Sequence, residues 1–115
     1  MQYAFLIYAD REAYATMTQE ELSAMERDYA ALAQAVSERG IMRDGSQLQP
    51  ASTATTVRVR NSQKLITDGP FAETKEQFTG FFILQCEDLN EALALAERMP
   101  TAAYGSIEIR PLSER

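Results

Sequence analysis

Residues 2–9 read QYAFLIYA, with apolar side chains at odd and even positions alike. A half-exposed strand alternates apolar with polar residues, whereas a strand covered on both faces carries a nearly unbroken apolar run. The stretch therefore predicts a central strand with a layer packed on each side. Two covers are needed, and the rest of the chain supplies only one.

Downstream, Thr18 with Glu21 three residues on has the spacing of a capping box. Leu22, Met25, Tyr29, Leu32, Ala33 and Val36 follow at helical spacing, and Gly40 ends that helix. Residues 10–17 read as a plain connection. Residues 41–49 predict a short or bulged strand closed by Pro50. In ATTVRVR, residues 54–60, Val57 and Val59 alternate with Thr56, Arg58 and Arg60, the period of a half-exposed strand. A polar turn at 61–63 leads back into residues 64–67, making a hairpin without the Asn-Gly signal. TGFFILQCE, residues 79–87, gives another largely apolar strand. Asp88 and Glu91 cap a second helix whose buried face reads Leu89, Ala92, Leu93, Ala96 and Met99, and Pro100 stops it. A last strand, 104–110, sets Ile107 and Ile109 against Glu108 and Arg110.

The order is β-α-β, a hairpin, then β-α-β, within a length of 115 residues that fits one domain spanning 1–115. It predicts an α+β fold, a ferredoxin-like split β-α-β sandwich with an inserted hairpin. Two helices cover one sheet face, so the second cover is expected from another copy of the chain in a homodimer.

Formal charge is −6 and the eleven basic residues are scattered from Arg11 to Arg115, which is not the footprint of a phosphate-binding surface. Direct nucleic-acid binding and membrane binding are not expected. The apolar run 3–9 is too short, and lacks the basic flank, for a signal peptide or a spanning helix. One cysteine, Cys86, fits a reducing compartment, so the cytoplasm is the expected location. Without His, neither a zinc site nor a Ser-His or Cys-His nucleophile can form, and no metal or other cofactor is expected. Acid–base work is left to carboxylates, Lys or Tyr. Cys86 itself reads as a small buried hydrophobe.

One segment fits neither a helical nor a strand period: TDGPFAETKEQFTGF, residues 67–81. Asp68 precedes Gly69, which tolerates a positive φ, and Pro70, suited to the first position of a helical turn. Asp68 is then a cap for the N–H of Phe71 or Ala72, an acid–base group in a cleft wall, or both where the backbone uses only one carboxylate oxygen, and the segment is expected to be a fixed turn and a cleft wall at once. Glu73, Lys75 and Glu76 are either a solvated charge run or ligand-binding groups in that wall. Glu108 and Arg110, two apart on one strand face, can join a cross-strand ion pair or meet a ligand. Arg58 and Arg60 share a hairpin face and keep an exposed strand soluble.

With Asp68-Gly69-Pro70-Phe71-Ala72-Glu73-Thr74-Lys75-Glu76, then Gly80-Phe81 and a final Glu108-Ile109-Arg110-Pro111, the chain resembles the YCII-related family, in its DGPF-domain branch, over essentially its whole length. The resemblance implies a ferredoxin-like fold that dimerises sheet to sheet, as in dimeric α/β barrels, with a cleft between subunits. Some members of the branch are encoded beside, or fused to, extracytoplasmic-function sigma factors, which implies a link to transcription control. Other YCII-related proteins use a His-Asp pair, and one is a dehydrochlorinase of chlorinated hydroquinones. This chain has no His, so that pair is not carried over. Two functions are expected: a homodimer with a small-molecule cleft, non-catalytic or regulatory, or a lyase- or hydrolase-type enzyme with Asp68 as general acid or base, assisted by Glu73, Lys75 or Arg110.

Overall fold

The computed structural model describes residues 1–114. Its elements are β1 (Gln2–Ala9), α1 (Arg11–Ala15), α2 (Gln19–Glu38), β2 (Met42–Gln47), β3 (Thr55–Arg60), β4 (Gln63–Asp68), β5 (Gln77–Gln85), α3 (Leu89–Glu97) and β6 (Ser106–Pro111), with 3-10 turns at Ala51–Thr53 and Pro100–Ala103. Four strands form an antiparallel sheet in the order β2-β5-β1-β6. With the β3–β4 hairpin set apart, that is the ferredoxin-like order, and the fold is α+β as expected.

The helix caps act as the sequence indicates. The Thr18 side chain accepts from the Glu21 N–H at 3.1 Å while the Glu21 carboxylate accepts from the Thr18 N–H at 3.0 Å. At the other end of α2, Gly40 takes φ +71°, and the N–H groups of Gly40 and Ile41 donate to the carbonyls of Ser37 and Val36. That is a Schellman closure, which satisfies carbonyls the helix leaves open. The connection 10–17 is less plain than expected: Asp10 caps α1, a single helical turn too short to leave a period. β2 carries the expected bulge, between Met42 and Asp44.

One sheet face forms the core. Tyr3, Phe5, Ile7 and Ala9 are buried on alternate positions of β1, and Tyr3 and Phe5 pack with Leu84 and Cys86 beneath Leu32 and Val36 of α2 and Ala92, Leu95, Ala96 and Met99. The face of α3 differs from the expected one. Leu89 and Leu93 are exposed, and Leu95 takes the inward place, because α3 is apolar nearly all round and periodicity cannot orient it.

Thr101 is the buried polar residue among those described. Its hydroxyl accepts from the Tyr29 hydroxyl at 2.7 Å and meets that of Tyr14 at 3.3 Å. Thr101→Val keeps the shape and leaves the Tyr29 hydroxyl short of its partner. It is expected to cost about 1–2 kcal/mol in urea melts.

Candidate functional site

Among the described residues no helix or second sheet is layered on the other sheet face. Alternation along β1 turns Ala4, Leu6 and Tyr8 away from the helices, and the register places Ile83 and Phe81 of β5 opposite Ala4 and Leu6. On the other side of β1, Arg110, Glu108 and Ser106 of β6 stand opposite Ala4, Leu6 and Tyr8. The result is an apolar floor edged by polar groups along β6. Tyr8 also stacks at a tilt on Phe78, with ring centroids 5.6 Å apart.

Tyr8 is at the centre of this group. Partial burial first, then the charge and hydrogen-bonding capacity of Glu108, push its phenol pKa up, with Arg110 opposing. The phenol is therefore a protonated donor through the neutral range. Ser106 donates from Oγ to the Glu76 carboxylate at 2.8 Å, tying the end of the 69–76 connection to β6. Among the described residues the ion pair within 4 Å is Arg39–Glu91, so neither Glu108 nor Arg110 has an opposite charge at that range. The cross-strand ion pair proposed for them does not form, and their charges are left for another partner.

Of the residues singled out in the sequence, Glu108 and Arg110 are thus brought to one phenol, and Glu76 is joined to the group through Ser106. No hydrogen bond or ion pair joins Asp68, Glu73 or Lys75 to that group, and Glu73 and Lys75 point into solvent. Asp68 ends β4, opposite Thr55. Its carboxylate accepts nothing from Phe71 or Ala72, and Pro70 begins no helical turn, so the capping arrangement is absent. The turn is held from outside instead. Gly69, at φ +96°, donates its N–H to the Ala54 carbonyl at 2.7 Å. Thr56 Oγ1 donates to the Gly69 carbonyl at 2.8 Å, and the Arg58 guanidinium to that of Phe71 at 3.2 Å. Arg58 is therefore a clamp on the turn as well as a solubilising charge. Tyr8 was missed as a site residue. Its signal was its parity with Leu6 and Ala4 rather than with the core residues Phe5 and Ile7.

Cys86 is buried, and that burial pushes its thiol pKa up, away from reactivity. Among the described residues no group of three or more His, Cys, Asp or Glu side chains is placed to hold a metal ion. Among those residues, too, no helix is long and apolar enough to cross a membrane.

The model of the YCII-related domain matches residues 1–114. The chain belongs to the YCII-related family. An uncharacterised protein of Rhizobium meliloti (strain 1021) is 37% identical, over 98% of this chain and 93% of its own length. Among solved structures, 5-chloro-2-hydroxyhydroquinone dehydrochlorinase from Burkholderia phenoliruptrix AC1100, in complex with 2,5-dihydroxybenzoquinone, superposes with a TM-score of 0.53. That alignment covers 100% of this chain and 96% of the other at 13% identity, a likeness of fold. This YCII-related chain shares the family architecture, and without His the polar groups grouped at Tyr8 on the open face are Ser106, Glu108 and Arg110, with Glu76 joined through Ser106.

Proposed function

We propose that the protein is a homodimer whose open sheet faces enclose a cleft for a small molecule, and that it binds this ligand without transforming it. The observation that carries the reading is an uncovered apolar floor bearing a protonated phenol, the Glu108 carboxylate and a guanidinium without an ion-pair partner among the described residues, with the Glu76 carboxylate held at its edge by Ser106. Leu6, Phe78, Phe81 and Ile83 offer contact to a flat apolar body, while Tyr8 and Arg110 offer donors to oxygens on its edge. The 2,5-dihydroxybenzoquinone held by the solved relative has that shape and those oxygens. A ligand-sensing role accords with the sigma-factor association that the family resemblance implies.

A second reading, lyase- or hydrolase-type chemistry with Asp68 as general acid or base, is favoured by one observation. The Asp68 carboxylate is not consumed by the turn it precedes, so an oxygen is available to a substrate. Glu73 and Lys75, equally solvent-facing, would be its neighbours along the connection.

Native mass spectrometry of the purified protein tests dimer and co-purified ligand together. Titration of that ligand, and of 2,5-dihydroxybenzoquinone as a probe, then separates the readings. Arg110→Gln and Tyr8→Phe are expected to weaken binding by about 10-fold or more, as loss of a hydrogen bond involving a charged or buried group does. Asp68→Asn should leave binding unchanged. Loss of ligand turnover in Asp68→Asn, with binding intact, establishes the catalytic reading instead. A monomer at micromolar concentration in light scattering overturns both forms of the cleft.

A further inference from the structure

The β3–β4 hairpin stands away from the four-stranded sheet. All six residues of β4, and all of β3 except Thr56, are exposed. The radius of gyration is 16.2 Å, where a compact chain of this length has about 13 Å. The hairpin register is nevertheless firmly set: Asn61 and Ser62 take φ +52° and +64°, the pair of left-handed residues that a type I′ turn requires. A two-stranded hairpin alone in water is marginal, so one this well defined calls for a surface to rest on.

Its two faces are unlike. On one, Thr56 and Arg58 are bound to the carbonyls of Gly69 and Phe71, so the 69–71 turn holds that side. On the other, Val57 pairs directly with Ile66 and Val59 lies next to them, with exposures of 60%, 59% and 62%. Phe71, at the arm's base, is 76% exposed. The charge of the arm as a whole, with Lys64 and Asp68 on the stripe's own face and Arg58 and Arg60 on the opposite one, indicates what covers it. Within residues 55–68, Arg58, Arg60 and Lys64 against Asp68 leave two net positive charges, while the whole chain carries −6, so everything outside the arm carries −8. A second copy of this chain presents that acidic body to a basic arm.

We propose that the hairpin is an exchange arm, which lays Val57, Val59 and Ile66 on the body of a second copy and receives that copy's arm in return. Two-fold symmetry makes the contact reciprocal, so each dimer buries both stripes. The proposal rests on the homodimer of the preceding reading and adds to it that sheet-to-sheet contact is incomplete without the arms. Through Thr56 and Arg58, which grip the turn between Asp68 and Glu76, a docked arm also fixes the segment leading to the Glu76–Ser106 contact.

Hydrogen-exchange mass spectrometry on the full chain, with light scattering on the same sample, tests this. Amides in peptides spanning 55–68 are expected to be protected at least 100-fold in the dimer, and progressively less on dilution. The double variant Val57→Ser, Ile66→Ser should raise the dimer dissociation constant at least tenfold while leaving exchange in β1 and β5 of the dissociated chain unchanged, since both side chains already face solvent there. A wild-type dimer whose arm exchanges freely, and whose dissociation constant moves less than twofold in the double variant, overturns the arm and leaves the homodimer standing. A monomeric wild type overturns both, and an arm protected in a monomer rules out the second copy as its cover.

Discussion

Phe5→Ala is expected to destabilise the protein by about 3–5 kcal/mol, the range for truncating a fully buried aromatic side chain. Phe5 is 0% exposed, sits mid-way along the central strand, and pairs with Phe82 on one side and Ile109 on the other. Its ring lies between the sheet and the inward stripes of α2 and α3, so the vacancy borders three elements and cannot be closed by moving one. A domain of this length is stable by about 6–17 kcal/mol, so the loss removes a large share of the total. Thermal scans should show a fall of about 12–20 °C. Leu93→Ala is the matched comparison, because the sequence places Leu93 on the buried face of α3 whereas it is 46% exposed. Its expected cost is below about 1 kcal/mol. Equal losses from the two variants would mean that α3 is rotated from the orientation described.

That contrast shows where sequence patterning is informative. α2 reads correctly because charged residues leave only one apolar stripe, and the buried Leu32 and Val36 are both on it. α3 does not, because Leu89, Leu93 and Leu95 surround it and only the neighbouring sheet chooses among them. The doubly apolar character of residues 2–9 did disclose the open face, since Leu6 and Tyr8 belong to neither helix contact. α1 was invisible, since a five-residue helix is shorter than the pattern that would reveal it.

The site was legible in the same uneven way. Glu76 was visible within a charge run, and Glu108 and Arg110 as two charges on one strand face. That Glu108 and Arg110 come to Tyr8, and Glu76 to Ser106, depends on register, and register is fixed by pairings that no local spacing encodes. Asp68 looked like a cap because Asp-Gly-Pro is ordinarily a self-contained turn. Here Thr56 and Arg58, from a strand paired across the hairpin, take over that work through the carbonyls of Gly69 and Phe71. A side chain that reaches in from another strand leaves no signal at the residue it replaces.

Gly105→Ala is expected to cost about 3 kcal/mol or more and to weaken the ligand site in the same variant, beyond the usual range for an overpacked side chain because the clash is with backbone. A methyl group there would run into the Tyr8 carbonyl oxygen and stand 3.1 Å from the Ala9 Cα. β1 cannot retreat, since it is hydrogen-bonded to β5 along its other edge. The strain must be relieved by β6, which begins one residue later and carries Ser106, Glu108 and Arg110. Shifting β6 displaces Glu108 and Arg110 relative to Tyr8, opposite which their strand is paired, and draws Ser106 from Glu76. Lowered stability and loss of ligand affinity should therefore appear together in this one substitution. Gly40→Ala separates the two causes that make a glycine necessary. Gly40 has the left-handed φ that Gly105 lacks, and nothing lies within 4 Å of the added carbon, so only the conformational penalty of about 1–2 kcal/mol applies and binding is untouched. Urea melts beside ligand titrations check both variants. If Gly105→Ala costs no more than Gly40→Ala, β6 does not approach β1 this closely, and the grouping of Glu108 and Arg110 with Tyr8 fails with it.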